Sequence, residues 1–160
     1  MKIEFGCGAT PTKTDFKTCD IRNLPGIDFV CPAWEISNHV QLNTVDEIFS
    51  RHFLEHLTFI QANKLVSIWF DILKPSGICE LSVPNMDYHI QQWISGTNMD
   101  HARAGFWGWQ REGEHEVWDV HKSGYNEHTL TELFVSKGFV TPKRIPSKKG
   151  ISLHMSFIKP

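Results

Sequence analysis

The chain lacks the features that mark several large classes of protein. No stretch approaches the roughly 20 consecutive apolar residues of a membrane-spanning helix. The first residues hold glycines and an acid where a secretory leader carries its apolar region. The chain is therefore expected in the cytoplasm, without membrane contact. Charge of one sign is also missing: 16 Lys and Arg against 18 Asp and Glu leave a net charge of −2, which argues on electrostatic grounds against a nucleic-acid partner. Its one basic cluster, Lys143 and Arg144 with Lys148 and Lys149, reads as a solvated loop. The cysteines Cys7, Cys19, Cys31 and Cys79 form no close C-x-x-C pair, so no structural zinc site is expected and they read as buried thiols. Internal repeats and low-complexity tracts are absent too. What remains, 160 residues of which 41% are hydrophobic, is enough for a single globular domain over 1–160 and too little for two.

The most informative stretch comes first. A short apolar strand over 2–5, with Glu4 inside it, runs into Gly6-Cys7-Gly8. Glycines let a chain turn sharply and bring its N–H groups against a nucleotide-like ligand. Alone the pattern is weak. It gains force from the order of the downstream segments: Asp20 at the end of a second strand over 16–21, a third strand over 27–31 stopped by Pro32, and a fourth over 45–50. The segments between the first three strands are too short for crossover helices. The spacing then predicts a helix over 59–73, with Ile60, Lys64 and Ile68 beside Leu65, Trp69 and Ile72, ended by Pro75 and Gly77. A fifth strand over 78–83, a helix over 127–137 and two closing strands over 140–145 and 151–158 complete an alternation that implies a mostly parallel sheet. Between them, 85–126 holds four of the six tryptophans and four histidines, and reads as a lid or substrate-recognition insert over the carboxyl ends of the strands.

The ordered set resembles the class I S-adenosylmethionine-dependent methyltransferases, in particular a small type 11-like branch containing Leu-Glu-His. The resemblance rests on Val45-Asp46-Glu47-Ile48, Leu54-Glu55-His56-Leu57 and Leu73-Lys74-Pro75-Ser76-Gly77, and covers most of the chain. It implies an α/β fold, a Rossmann-like three-layer sandwich around a seven-stranded sheet with an antiparallel last strand, here with reduced N-terminal helices. It implies S-adenosylmethionine as cofactor and S-adenosylhomocysteine as product. By this resemblance Glu4, Gly6, Cys7 and Gly8 cradle the methionine end, Asp20 with Ile21 takes the ribose, and Ala33 and Trp34 sit by the adenine. Pro32 stands where the family often has an acid, so Trp34 would stack on the base instead. Ser50 and Arg51 flank the sulfonium. With little ahead of the glycine turn, the pocket is expected to be open or completed by a second copy, which makes a homodimer the expected assembly.

Methyl transfer is an in-line displacement that in itself requires no metal, and its enzyme chiefly holds acceptor and methyl in line. An acceptor hydroxyl or amine must lose a proton, and histidine is the usual base. His52 and His121 are the candidates, the latter inside His121-Lys122-Ser123-Gly124-Tyr125, which resembles a segment preceding the late helix of this branch. His56 reads as structural. The acceptor is expected to be a small molecule or sugar. Two alternatives stand beside this reading. One is a non-catalytic S-adenosylmethionine-binding module. The other takes His52-Phe53-Leu54-Glu55-His56 as the H-x-x-E-H pattern of zinc peptidases, with a downstream ligand from Glu112, Glu114 or Glu116.

Overall fold

The computed structural model describes residues 1–113, 115–147 and 150–160, without the side chains of His115 and Glu116. Lys148 and Lys149 of the basic cluster and Glu114 of the proposed zinc ligands lie outside the described residues. Seven strands form one sheet: β1 (Lys2–Phe5), β2 (Lys17–Asp20), β3 (Phe29–Val30), β4 (Val45–Arg51), β5 (Leu73–Pro84), β6 (Val140–Ile145) and β7 (Ser152–Ile158). Their order is β3-β2-β1-β4-β5-β7-β6. The first five run parallel, and β7 is antiparallel to both its neighbours. The helices are α1 (Phe59–Ile72), α2 (Met86–Ser95), α3 (Met99–Trp107), α4 (His115–Trp118) and α5 (Glu127–Val135).

Strand alternation divides the sheet into two unlike faces. Ile3 and Phe5 lie beside Ile48 and Ser50 of β4, and Cys79, Leu81 and Val83 of β5 pair with Phe157, Met155 and Leu153 of β7. All are buried. Helix α1 packs here through Trp69, its ring 5.2 Å from Phe5, and α5 stacks Phe134 on Phe157 at 4.2 Å. The opposite face carries Glu4, Phe49, Glu80 and His154. Its cover is the loop after β1, whose Lys13 ammonium lies 4.6 Å from the Phe49 ring and 3.5 Å from Glu80. A sheet sandwiched fully between helices would be apolar on both sides. These charged positions suit a thin third layer, and the connections from β1 to β2 and from β2 to β3 contain no helix.

Helix α1 starts at a capping box in which Thr58 and Gln61 satisfy each other's backbone N–H groups. It stops at Ile72 because the chain turns extended at Leu73, which pairs with Val45 ahead of Pro75. The fifth strand thus begins five residues before its expected start at Ile78. The expected stripe is also corrected: Ile60 is 83% exposed, and the buried side is Ala62, Leu65, Val66, Trp69 and Ile72. Ile68 and Phe70 pack against the core at the flanks of this side, and Ile60 lies on the side of the helix opposite Trp69. The insert between β5 and α5 is pinned at its neck, where Asn85 and Tyr125 form an isolated bridge and the Met86 N–H donates to the Tyr125 carbonyl at 3.1 Å. Among the described residues no helix is long and apolar enough to cross a membrane.

Candidate functional site

Two adjoining cavities open at the carboxyl ends of the parallel strands, and His52 and His56 wall both. The first, about 240 Å³, is built from the ends of β1 to β3. Gly6 turns the chain at φ +65°, a conformation glycine adopts freely, and donates its N–H to the Cys19 carbonyl at 2.8 Å. A Cβ there would run into the Phe53 ring, so the turn admits no larger residue. Asp20 follows at the end of β2, 6% exposed. Its carboxylate accepts from the Gly8 N–H at 2.9 Å, the Arg22 N–H at 3.0 Å, and the Arg22 guanidinium at 3.1 and 3.4 Å. Burial alone would raise its pKa, but these donors outweigh burial and hold it below the usual carboxylate value. Pro32, Ala33 and Trp34 form the apolar wall opposite, on the 3-10 helix Ala33–Asn38.

The second cavity, about 380 Å³, lies under the insert. Its floor is the 3-10 turn Leu54–His56, onto which the segment before α5 docks. The Lys122 and Ser123 N–H groups donate to the Glu55 carbonyl, and the Ser123 hydroxyl to the Leu54 carbonyl. His56 Nδ1 lies 3.1 Å from the Val120 carbonyl, and His121 Nδ1 3.0 Å from the Gly105 carbonyl. Glu55, 1% exposed, meets His52 Nδ1 through Oε1 at 3.2 Å, while Oε2 has no partner. His52 sits at φ +49°, held by its N–H on the Ser82 carbonyl, and its Nε2 lies 3.3 Å from the Ser152 hydroxyl. With Nδ1–H committed to the carboxylate, Nε2 is left with the lone pair. Burial pushes the pKa of His121 down, and burial, then the His101 charge, takes that of His89 down to about 4. The upper walls are Trp109, His101 and Asp119.

Of the expected residues, Gly6, Asp20, Ile21, Ala33 and Trp34 line the first cavity, His52 lines both, and His121 lines the second. The others stand behind. Glu4 is buried and accepts from the Thr12 and Lys13 N–H groups at 2.9 Å, anchoring the loop after the glycine turn. Cys7 is a half-buried thiol whose pKa is pushed up to about 11, first by burial and then by Asp20 and Glu4. Gly8 holds Asp20, Ser50 is buried with its hydroxyl unpartnered, and Arg51 is exposed. Sequence reasoning missed Arg22, Phe53, Gln61, Trp118 and Lys122 in the first cavity and Glu55 and His89 in the second. Glu55 had a signal, its place in Leu-Glu-His; the others became visible only on folding. The peptidase pattern lacks its geometry: two histidines on one helical face are required, and here His52 precedes a single 3-10 turn and bonds Glu55.

A sheet in this strand order, with a glycine turn and a carboxylate at the ends of its first two strands, is the class I methyltransferase fold. Solved structures bear this out. A SAM-dependent methyltransferase from Archaeoglobus fulgidus superposes with a TM-score of 0.66 at 16% identity, over 99% of this chain and 85% of its own. One from Thermotoga maritima gives 0.69 at 10% identity, over 99% and 81%. The 1,6-didemethyltoxoflavin-N1-methyltransferase of Burkholderia thailandensis, solved with 1,6-didemethyltoxoflavin and S-adenosylhomocysteine, gives 0.63 at 16% identity, over 99% and 70%. At these identities the likeness is one of fold. No family model matches the chain, and no curated protein matches it in sequence.

Proposed function

We propose that the chain is an S-adenosylmethionine-dependent methyltransferase whose acceptor is a small molecule or sugar bearing a hydroxyl or amine. The observation that carries this reading is the pair of cavities joined at His52, one with the furniture of a nucleoside site and one walled by the aromatic insert. The first fits the cofactor. Asp20 offers two carboxylate oxygens to a ribose diol, and its four present donors match its four lone-pair sites, so a diol binds by displacing the guanidinium. Ala33 and Trp34 give the adenine an apolar wall. Bound there, S-adenosylmethionine supplies an electrophilic methyl group and departs as S-adenosylhomocysteine.

The chain's own residues do the rest. Glu55 fixes the His52 tautomer, and Nε2, now facing the Ser152 hydroxyl, is the acceptor for the proton a hydroxyl or amine must release. The second cavity falls in the usual range of about 300–1,000 Å³ for small-molecule sites. The Burkholderia neighbour, solved with 1,6-didemethyltoxoflavin and S-adenosylhomocysteine bound, supports a two-chambered site of this kind. The test is calorimetric titration with S-adenosylmethionine and S-adenosylhomocysteine. Binding is expected, weakened in Asp20→Ala by about 1–3 kcal/mol, the scale of losing charge-assisted hydrogen bonds. No binding to the folded chain overturns the reading.

A further inference from the structure

We propose that Glu55, His56 and His121 form a site for one divalent transition-metal cation at the junction of the two cavities. One ligand atom from each can be chosen so that all three lie within 4.8 Å of one another. The second observation is the unpartnered Oε2 of Glu55: its residue is 1% exposed, its other oxygen is taken by His52, and all three residues line the second cavity. A buried carboxylate oxygen with no donor is costly unless a cation meets it.

The histidines are set as metal ligands are set. Each has Nδ1 on a backbone carbonyl, Val120 for His56 and Gly105 for His121, which fixes the tautomer and leaves Nε2 with its lone pair. The rings meet edge to face with centroids 5.0 Å apart. Two imidazoles and one carboxylate suit zinc or another late divalent ion with a position left open. Ligand atoms on zinc stand roughly 3–3.5 Å apart, so the three close by about 1 Å onto the ion. This set differs from the peptidase pattern, because His52 holds Glu55 and His121 supplies the third ligand. Resting on the methyltransferase reading, the open position takes the acceptor's oxygen. The hydroxyl proton passes to His52 Nε2, the methyl carbon bonds that oxygen, and its bond to sulfur breaks with the electron pair remaining on sulfur. His121 is then a ligand and His52 the base.

The test is titration of the chelator-stripped full chain with Co(II), followed by visible absorption, with S-adenosylhomocysteine titrated separately. Expected are one equivalent bound, the strong d–d bands of four- or five-coordination, and no thiolate charge-transfer band. Glu55→Gln and His121→Ala are expected to weaken uptake at least tenfold, while His101→Ala, in the same cavity but outside the set, binds as wild type does. The wild-type spectrum decides even where a variant fails to fold. No uptake by wild type, or a thiolate band assigning the ion to a cysteine, overturns the site. Cobalt uptake without S-adenosylhomocysteine binding leaves the metal site and removes the methyltransferase reading; the reverse removes the site and leaves the reading.

Discussion

The two cavities share a wall and are built in opposite ways. Half of the first comes from one stretch, Gly6 to Trp34, in which three successive strand ends deliver a turn, a carboxylate and an apolar wall, and the rest from the segments 52–61 and 117–122. The second is gathered from the 3-10 turn at Glu55, the insert residues His89, His101 and Trp109, the docked segment at His121, and Ser152 at the start of β7. Its polar groups are imidazoles around the buried Glu55 carboxylate, with Asp119 in the wall, where the first has a carboxylate held by a guanidinium and two backbone N–H groups. A local site tolerates no change in its turn but survives rearrangement above it. A gathered site depends on the docking of distant segments, and the chemistry proposed for it would be separable from the cofactor capture proposed for the first.

The sharpest way to break the comparison is His52→Gln. It removes the proposed proton acceptor at the junction without touching Asp20 or the glycine turn. Turnover is expected to fall about 10²–10⁴-fold, the usual scale for a lost general base, with S-adenosylhomocysteine affinity unchanged. The readout is single-turnover rate beside calorimetric affinity. Parallel loss of both would mean that the cavities act as one.

Acid separates the two next. His89 is buried, its ring packs against Gly105, and its pKa stands at about 4, against an unfolded value near 6.5. Between those values the unfolded chain binds the extra proton, so stability is present at pH 7 and is lost as pH falls from 6.5 to 4. Its contribution is up to about 3 kcal/mol, from roughly 1.4 kcal/mol per pH unit. Asp20 has a depressed pKa, so its own contribution is lost only below the ordinary carboxylate range. Urea unfolding in a chelating buffer at neutral and mildly acid pH is expected to give a steep loss in wild type. A shallower one is expected in His89→Phe, which keeps a ring against Gly105. An equal slope in both would take His89 out of the account.

The same division explains what could be read in advance. The mostly parallel sheet and the missing early helices were legible, because strands alternate with helices and the loops after Phe5 and Asp20 were too short to cross over, while the antiparallel last strand came from the resemblance. The residues lining the first cavity were half legible: Gly6, Asp20, Ala33 and Trp34 lie at strand ends that sequence can locate. Glu4 was given to the cofactor for its charge, yet its carboxylate turns to the Thr12 and Lys13 N–H groups, because alternation puts it on the polar face. The Glu55 cluster was not legible, since His56 and His121 are neighbours only once the 120–123 segment docks on the turn.

Arg22 is the finest probe of the comparison, because its guanidinium occupies the place on Asp20 that the proposed ribose diol would take. Its guanidinium makes two of the four contacts on Asp20 and is itself 26% exposed, so solvent screens what the pair contributes. Removing it in Arg22→Ala leaves Asp20 with the backbone N–H groups of Gly8 and residue 22 and two vacant lone-pair sites. The ligand-free chain is expected to lose about 0.5–1.5 kcal/mol of stability. S-adenosylhomocysteine affinity is expected to rise about two- to fivefold, because the diol no longer displaces a cation. The opposite signs are the diagnostic feature, since a merely structural arginine would weaken both. Calorimetry beside thermal unfolding of the same samples reads the two. A fall in affinity would make the guanidinium a partner of the bound nucleoside, and would place the diol beside Arg22 rather than in its stead.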